Sequence, residues 1–264
     1  MKNSCLRAAA ILLAAIFAAA DVQAAAAQSA PNWSGFYVGA NLGGGFGEAK
    51  NNIAVSDPFV PLSSTRSTTD RLEAFIAGGQ LGYNWQVNPT AILGLEADWQ
   101  SSAAGGGQSF SDSFSIFVPG GGFDRAMISP TYEARIWWLG TVRGRVGFTH
   151  DNLLFYGTGG LAYGRVGISG TVNENVDFSP GGGPVFTSST PFGVAQTKVG
   201  WTLGAGIEGV LAGQWSWKFE YLYVDLGSIS GSFAGEPFLG GEIVSVKSRF
   251  DENLVRFGVN YRLN

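Results

Sequence analysis

The chain has one cysteine and one histidine among its 264 residues, and this scarcity removes several classes of site. Cys5 precedes an apolar run that belongs to a predicted secretion signal, so the mature chain would carry no thiol. Disulfide, zinc-thiolate and cysteine-nucleophile chemistry are therefore excluded. His150 falls in a predicted short turn, where we expect a plain turn residue, so we predict no catalytic site, no metal site and no enzyme activity.

Charge and long apolar runs are also scarce. Charged residues make up 14% of the chain and the formal net charge is −4. Lys and Arg form no cluster, so nucleic acid is not an expected partner. No apolar run approaches the roughly 20 residues of a membrane helix, so no such helix is predicted.

The N-terminal residues have the parts of a secretion signal. Lys2 and Arg7 supply the positive end, residues 8–20 are uniformly apolar, and Val22-Gln-Ala24 suits signal cleavage. We therefore predict a cleaved signal peptide over 1–24, a spacer over 25–32 and one all-β domain over 33–264.

The last segment, 253–264, alternates strictly and predicts a strand with one apolar and one mostly polar face. Its apolar positions are Val255, Phe257, Val259, Tyr261 and Leu263. Similar alternation predicts further strands at about 36–46, 74–87, 91–103, 133–149, 153–169, 197–211 and 215–229. The strand at 153–169 is so rich in glycine that its two faces are not assigned.

The connections between these strands alternate in length. Turns near 88–90, 150–152 and 213–214 are short, whereas the segments near 49–73, 104–132, 171–196 and 231–247 are long. Short turns at one end and long loops at the other are typical of bacterial outer-membrane barrels. The sequence therefore predicts an eight-stranded antiparallel transmembrane β-barrel with short periplasmic turns and four long external loops, in the outer membrane of a Gram-negative cell.

Aromatic residues are expected at two heights of such a barrel, where they contact the two membrane interfaces. One predicted girdle lies near the short turns and chain ends, at Phe36, Trp85, Phe148, Trp215, Trp217 and Tyr261. The other lies near the long loops, at Trp99, Trp138 and Trp201.

Four motifs, in order along the whole mature chain, resemble a known family. They are Trp33-Ser-Gly-Phe-Tyr-Val-Gly39, Arg143-Gly-Arg-Val-Gly147, Tyr156-Gly-Thr-Gly-Gly-Leu-Ala-Tyr-Gly164 and Glu252-Asn-Leu-Val-Arg-Phe-Gly-Val-Asn-Tyr-Arg262. The chain resembles the alphaproteobacterial outer-membrane β-barrel proteins of the Omp25/Omp31 (RopB-like) group. The resemblance implies an abundant surface protein with immunogenic loops that supports envelope integrity and has no established catalysis. One departure is the terminus, where Leu263 and Asn264 replace the usual final Phe.

Charged residues on the predicted inner face form the candidate site. They are Glu96, Asp98, Arg143, Arg145, Glu208, Lys218, Glu220, Arg256 and Arg262. Side chains fill the interior of an eight-stranded barrel, so these charges must pair with one another. The alternatives are a structural plug of ion pairs and a gated or narrow pore lined by the same residues.

Residues 204–209 match the pattern G-x-G-x-x-G of dinucleotide sites. The strand alternation continues through them and no helix follows, so we expect small residues on a crowded inner wall and no cofactor.

Apolar clusters in the long loops leave two further functions open. They are Phe59–Leu62, Phe110 with Phe114–Val118, and Phe233 with Phe238–Leu239. These residues suit packing between loops or contact with lipopolysaccharide, but they also suit an adhesin or a receptor for a host or envelope ligand. The expected partners are thus outer-membrane lipid, lipopolysaccharide and such a ligand, together with the barrel-assembly machinery, which would bind the strand 253–264. The main expectation is a structural envelope protein, with a narrow porin as the alternative.

Overall fold

Strict alternation of side chains produces an almost entirely β-structure in the computed structural model. The structure describes residues 31–56, 63–109, 111–118, 122–177, 185–234 and 243–263. The strands are β1 Gly35–Ser56, β2 Ser63–Gln86, β3 Ala91–Ser109, β4 Asp112–Val118, β5 Gly122–His150, β6 Leu153–Asp177, β7 Val185–Ala212, β8 Trp215–Ala234 and β9 Ile243–Leu263. No helix in these ranges is suited to crossing a membrane. The predicted signal lies outside them.

The strands form a closed antiparallel ring. Apart from β3 and β4, each strand pairs with its neighbour along the chain, and β1 pairs with β9 from Phe36↔Leu263 to Ser56↔Ile243. β3 and β4 pair with successive parts of β5, through Ser109↔Thr131 and then Asp112↔Ile128, so they are two halves of one interrupted strand. The ring therefore has eight strands, which confirms the predicted fold class.

The short turns lie where they were predicted. Asn88 Oδ1 accepts hydrogen bonds from the backbone N–H groups of Thr90 at 2.9 Å and Ala91 at 2.7 Å. The second turn is Asp151–Asn152, with Asp151 at a φ of 52°, and the third contains Gly213 at a φ of 55°. Glycine adopts this left-handed conformation without steric cost, which suits Gly213 to a two-residue turn.

The predicted long loops are largely wrong, because the strands continue through them. β1 extends to Ser56 and β2 starts at Ser63, within the predicted loop 49–73, and the other three hairpins are extended in the same way. Residues 57–62, 119–121, 178–184 and 235–242 between the strand ends lie outside the described part. β5 alone has 29 residues. At about 3.3 Å per residue it is roughly 95 Å long, far longer than the ~25 Å apolar band of such barrels requires.

An inversion of polarity along each wall strand explains why these extensions were taken for loops. On β1 the outward positions are apolar up to Phe46, which is 53% exposed, and then become Glu48, Lys50 and Asn52. The inward positions change the opposite way, because Ala49 and Ile53 are buried. Alternation therefore persists with its phase reversed, and the reversal marks the level where the surroundings change from lipid to water.

The upper part of the ring contains an apolar core. Its buried residues include Ile53, Leu72, Ile136, Val166, Ile168, Phe192, Val224, Val246 and Phe250. The β2–β3 ladder ends at Glu73↔Gly105 and the β7–β8 ladder at Trp201↔Asp225, whereas the other ladders continue upward. Within the described ranges, two four-stranded sheets thus face each other across this core, much as in a β-sandwich.

One part of the predicted fourth strand was assigned to the wrong face. Ile136 was expected to share the outward face of Trp138, but a register shift between these two residues adds Trp137 to the outer wall. Ile136 is 1% exposed and faces the core, whereas Trp137 is 39% exposed. A β-bulge reverses the alternation of one strand locally, and period-2 patterning does not reveal it.

The inverted wall predicts a specific pattern of thiol labelling. In a chain whose Cys5 is replaced by Ser, refolded into lipid vesicles, we expect Lys50→Cys to react with a water-soluble maleimide. Leu42→Cys, which faces lipid, and Ile53→Cys, which is only 2% exposed, should remain unlabelled. Fast labelling at both 50 and 53 would indicate a loop instead of a strand.

Candidate functional site

Inward-facing side chains in the half of the barrel nearest the short turns are mostly polar and buried. Eight of the nine charged residues predicted to line the interior come together there, and each is at most 4% exposed. They are Glu96, Asp98, Arg143, Arg145, Glu208, Lys218, Glu220 and Arg256. We call these eight residues the charge network.

Glu96 on β3 lies near the centre of the network. Lys218 Nζ donates to its two carboxylate oxygens at 2.8 and 2.9 Å. Arg143 on the adjacent strand β5 also pairs with Glu96, and Tyr37 Oη donates to it at 2.7 Å. One carboxylate thus receives hydrogen bonds from three other strands.

A second group of contacts surrounds Glu220 on β8. Arg256 Nε donates to it at 2.7 Å, Arg143 Nη1 at 3.0 Å and Tyr156 Oη at 2.9 Å. Arg143 and Arg256 both also donate to Asp98 Oδ2, each at 2.8 Å. The two arginines therefore connect Asp98 and Glu220 across the barrel.

Arg145 forms the part of the network closest to the short turns. Its Nη2 donates to Glu208 at 2.9 Å and its Nη1 donates to Tyr37 Oη at 2.7 Å. Its guanidinium carbon lies 3.9 Å from the centre of the Tyr156 ring, within the range of a cation–π contact. Glu208 also accepts from Ser216 at 2.7 Å and from Asn260 at 2.9 Å.

The network is electrically neutral, since it contains four carboxylates and four cations. Removing an ion from water costs several kcal/mol, which is offset only when each charge is paired and its remaining hydrogen-bonding groups are satisfied. The described interior meets this condition closely. The exceptions in and beside the network are Asp98 Oδ1, the side-chain nitrogen of Gln100 and the side-chain oxygens of Asn41 and Asn84.

Arg262 is not part of the network, contrary to expectation. It lies at the mouth of the barrel, where its Nη2 donates to the carbonyl of Gly213 at 3.2 Å. Its guanidinium carbon is 5.4 Å from the ring centre of Trp33, which is 1% exposed and packs with Ile92 and Leu154. Arg262 is therefore a cap at the barrel end, because the last inward position of a strand adjoins the turns instead of the interior.

Tyr37 and Tyr156 are network residues that the sequence did not reveal. Neither carries a formal charge, so neither was among the predicted site residues. The available signal was alternation, since Tyr37 shares the face of the polar Asn41. Gly206 makes room for Tyr156, because a Cβ there would lie 2.5 Å from the Tyr156 ring. The structure also assigns the faces of β6, where Leu154, Tyr156, Ala162 and Val166 point inward.

Glu252 is a buried acid outside the network. It is 1% exposed, and neither of its carboxylate oxygens has a hydrogen-bond partner among the described residues. Its ladder partners are Gly47 and Val224, so it lies beside the apolar core. A buried polar group without a partner lowers stability.

The residues predicted to form aromatic girdles lie on the outer wall. Near the short turns, Phe148 stacks on Phe155 with centroids 5.3 Å apart, and Trp215 contacts Tyr261 at 4.9 Å. Nearer the hairpins, Trp201 contacts Tyr223 at 5.3 Å and Trp138 contacts Tyr163 at 6.1 Å. Phe36, Trp85 and Trp99 are between 47% and 61% exposed, and Trp217 also lies on the outward face.

The structure offers little support for a catalytic or metal site. His150 lies at the end of β5, with its side chain 76% exposed and its Nε2 3.6 Å from the equally exposed Asp151. Among the described residues no group of three or more His, Cys, Asp or Glu side chains is arranged to hold a metal ion. The predicted loop clusters at 59–62, 110 and 238–239 lie outside the described residues, whereas Phe233 packs on Phe192 at 5.8 Å against the apolar core.

Glu220 and Glu252 give opposite predictions for the same substitution. We expect Glu220→Leu to lower the free energy of unfolding by roughly 3–5 kcal/mol, because it leaves its cationic partners buried and unpaired. We expect Glu252→Leu to raise it by about 1–3 kcal/mol, because it removes a buried polar group without a partner. Urea unfolding in lipid vesicles, followed by tryptophan fluorescence, measures both values. Equal effects of the two substitutions would contradict the proposed network.

Comparisons with known proteins identify the family of this barrel. A family model described as outer membrane protein beta-barrel domain matches residues 10–262. The chain is 33% identical to the 31 kDa outer-membrane immunogenic protein of Brucella melitensis, over 99% of this chain and 100% of that protein. It is 28% identical to the 22 kDa outer membrane protein of Rhizobium leguminosarum bv. viciae, over 95% and 96% of the two chains.

Solved structures are more distant. The outer membrane protein OprG of Pseudomonas aeruginosa aligns with a TM-score of 0.44 and 10% identity, covering 88% of this chain and 98% of that one. The outer membrane protease OmpT of Escherichia coli aligns with a TM-score of 0.39 and 9% identity, covering 90% and 99%. Taken with the closed ring of eight antiparallel strands, the family match and the Brucella and Rhizobium relatives show that this chain belongs to the outer-membrane β-barrel family, in its Omp25/Omp31-like alphaproteobacterial group.

Proposed function

We propose that this outer-membrane protein is a closed, structural barrel that reinforces the envelope and exposes rigid hairpins at the cell surface. The observation that carries the proposal is the filled interior. The charge network occupies the half near the periplasmic turns, and the apolar core occupies the half above it. Within the described residues, the inward side chains of the charge network and of the apolar core are buried or only slightly exposed.

The contacts of the network argue against the alternative of a gated or narrow porin. A solute path would have to break ion pairs such as Lys218–Glu96 and Arg256–Asp98, whose side chains have 0% exposure. Breaking one buried pair costs roughly 3–5 kcal/mol. Because every 1.4 kcal/mol changes a population about tenfold, the open state would then be populated below about 1%. The apolar core above it would also have to separate.

Single-channel recording of the refolded mature chain in a planar bilayer tests this function. We expect no reproducible conductance steps from the wild-type protein, because both levels of the interior are filled. The double substitution Arg143→Ser and Arg145→Ser removes two inward guanidinium groups and should also stay silent, because the apolar core above the network remains filled. The matched control, Arg135→Ser with Arg165→Ser, removes two outward guanidinium groups from neighbouring strands and should stay silent.

The comparison of these three proteins separates the alternatives. Regular steps from the wild-type chain, changed in size by the inward double substitution, would establish the porin alternative. Insertion is verified for each protein by protection of the strands from added protease, so that silence is not confused with failure to insert.

We also propose that the barrel has no catalytic activity, which is supported by the exposed position of its single histidine. The Brucella melitensis relative is named as an outer-membrane immunogenic protein, and the long hairpins of this chain are the parts suited to recognition by antibodies. An adhesin or ligand-binding role would act through the hairpin ends. Replacing Phe114 and Phe117 with Ser in β4 tests that role, because unchanged ligand capture would reject it.

Three partners follow from the proposed role. Outer-membrane lipid and lipopolysaccharide would surround the apolar wall. The barrel-assembly machinery would bind the predicted terminal segment 253–264, of which residues 253–263 lie in β9 and close the ring against β1.

A further inference from the structure

We propose that Arg165, placed over Trp137, beside Trp138 and above Tyr163 on the outer wall, binds the phosphate group of a lipid headgroup in the external leaflet. The proposed function requires only a closed barrel, so this site adds a lipid ligand and does not depend on that function.

The height of Arg165 on the wall places it at the headgroup level. The outward positions of β6 run upward from Leu161 through Tyr163 and Arg165 to the polar Ser169 and Thr171. Arg165 thus lies one outward position above Tyr163 and is the ladder partner of Trp138, so it stands at the upper edge of the external girdle, where Trp138 contacts Tyr163. Tryptophan and tyrosine favour the boundary between the acyl chains and the headgroups, so a cation at the upper edge of the girdle is level with lipid phosphates.

The structure holds the Arg165 side chain against an aromatic ring. Its guanidinium carbon lies 5.9 Å from the centre of the Trp137 ring. Trp137 faces outward only because of the bulge between Ile136 and Trp138. Gly167 makes room for it, since a Cβ there would lie 2.7 Å from Trp137 Cη2. This distance is within the range of a cation–π contact, which favours positions of the guanidinium over the ring. The planar donors of a guanidinium held there suit bidentate binding of phosphate.

Arg165 is also available for an external anion. Two other cations on the outer wall are paired, since Arg135 Nε lies 2.7 Å from Glu133 and Lys50 Nζ lies 3.4 Å from Glu48. Within the described part of the chain, no carboxylate pairs with Arg165, which is exposed. Arg71 on β2 is likewise exposed and has no carboxylate partner among the described residues, but no ring contact holds it. Arg71 is therefore the matched control.

Native mass spectrometry of the refolded mature chain in detergent tests the site with defined probes. These are bisphosphorylated lipid A, its dephosphorylated form, phosphatidylglycerol and inorganic phosphate. We expect the wild-type protein to bind bisphosphorylated lipid A about tenfold more tightly than the dephosphorylated form. Arg165→Gln should abolish this tenfold preference, Trp137→Leu should reduce it, and Arg71→Gln should leave it unchanged.

The outcomes are distinct from those of the conductance experiment. Equal binding of phosphorylated and dephosphorylated lipid A, or an unchanged preference in Arg165→Gln, would overturn the proposal whether or not the barrel conducts. Equal retention of phosphatidylglycerol and lipid A would support a phosphate site that accepts phospholipid as well. Competition by millimolar inorganic phosphate would support recognition of the phosphate itself, and loss of preference in Arg71→Gln would contradict the assignment to Arg165.

Discussion

Eight charged side chains lie inside a ring of eight strands that is too narrow to hydrate them, and the rest of the structure has to keep their sum at zero. Each ion is stable only beside an opposite charge with further hydrogen bonds. This requirement fixes the register of the strands, because a slip of one residue would turn every inward charge of that strand toward lipid. The network therefore specifies the barrel as well as filling it.

Every strand of the ring contributes a hydrogen-bonding group to this interior. β1 supplies Tyr37, β2 Gln80, β6 Tyr156 and β7 Glu208, while the remaining strands supply the other charges and Asn260. Gln80 Nε2, for example, donates to Asn260 at 2.8 Å across β1. A partly assembled sheet would leave several of these groups without partners in an apolar medium, where each unsatisfied group costs several kcal/mol. Ring closure and formation of the network are thus expected to be a single cooperative event.

The fold was predictable below the external girdle and poorly predictable above it, for a physical reason. Below the girdle the outer surroundings are lipid, and runs such as Val255, Phe257 and Val259 identify both the strand and its outward face. Above it, the same β9 presents Lys247, Arg249 and Asp251 outward and Val246 and Phe250 inward. Both patterns alternate. The second has its polar residues on the outer face, so it resembles a polar loop if apolar residues are expected there. The predicted strand ends therefore fell where the surroundings change and not where the strands end.

The candidate site shows the same limit at the level of single residues. Charged residues in alternation, such as Glu96 with Asp98 and Arg143 with Arg145, were assigned to the inner face from the pattern alone. Tyr37 and Tyr156 were missed because they carry no formal charge, and their role depends on the position of Glu96 or Glu220 across the barrel. Arg262 was misplaced because alternation gives the face of a strand but not the depth. Depth depends on strand tilt and on closure of the ring, which arise from contacts between strands distant in sequence. The role of Arg165 could not be predicted for a related reason, since its contact with Trp137 depends on a bulge in the neighbouring strand.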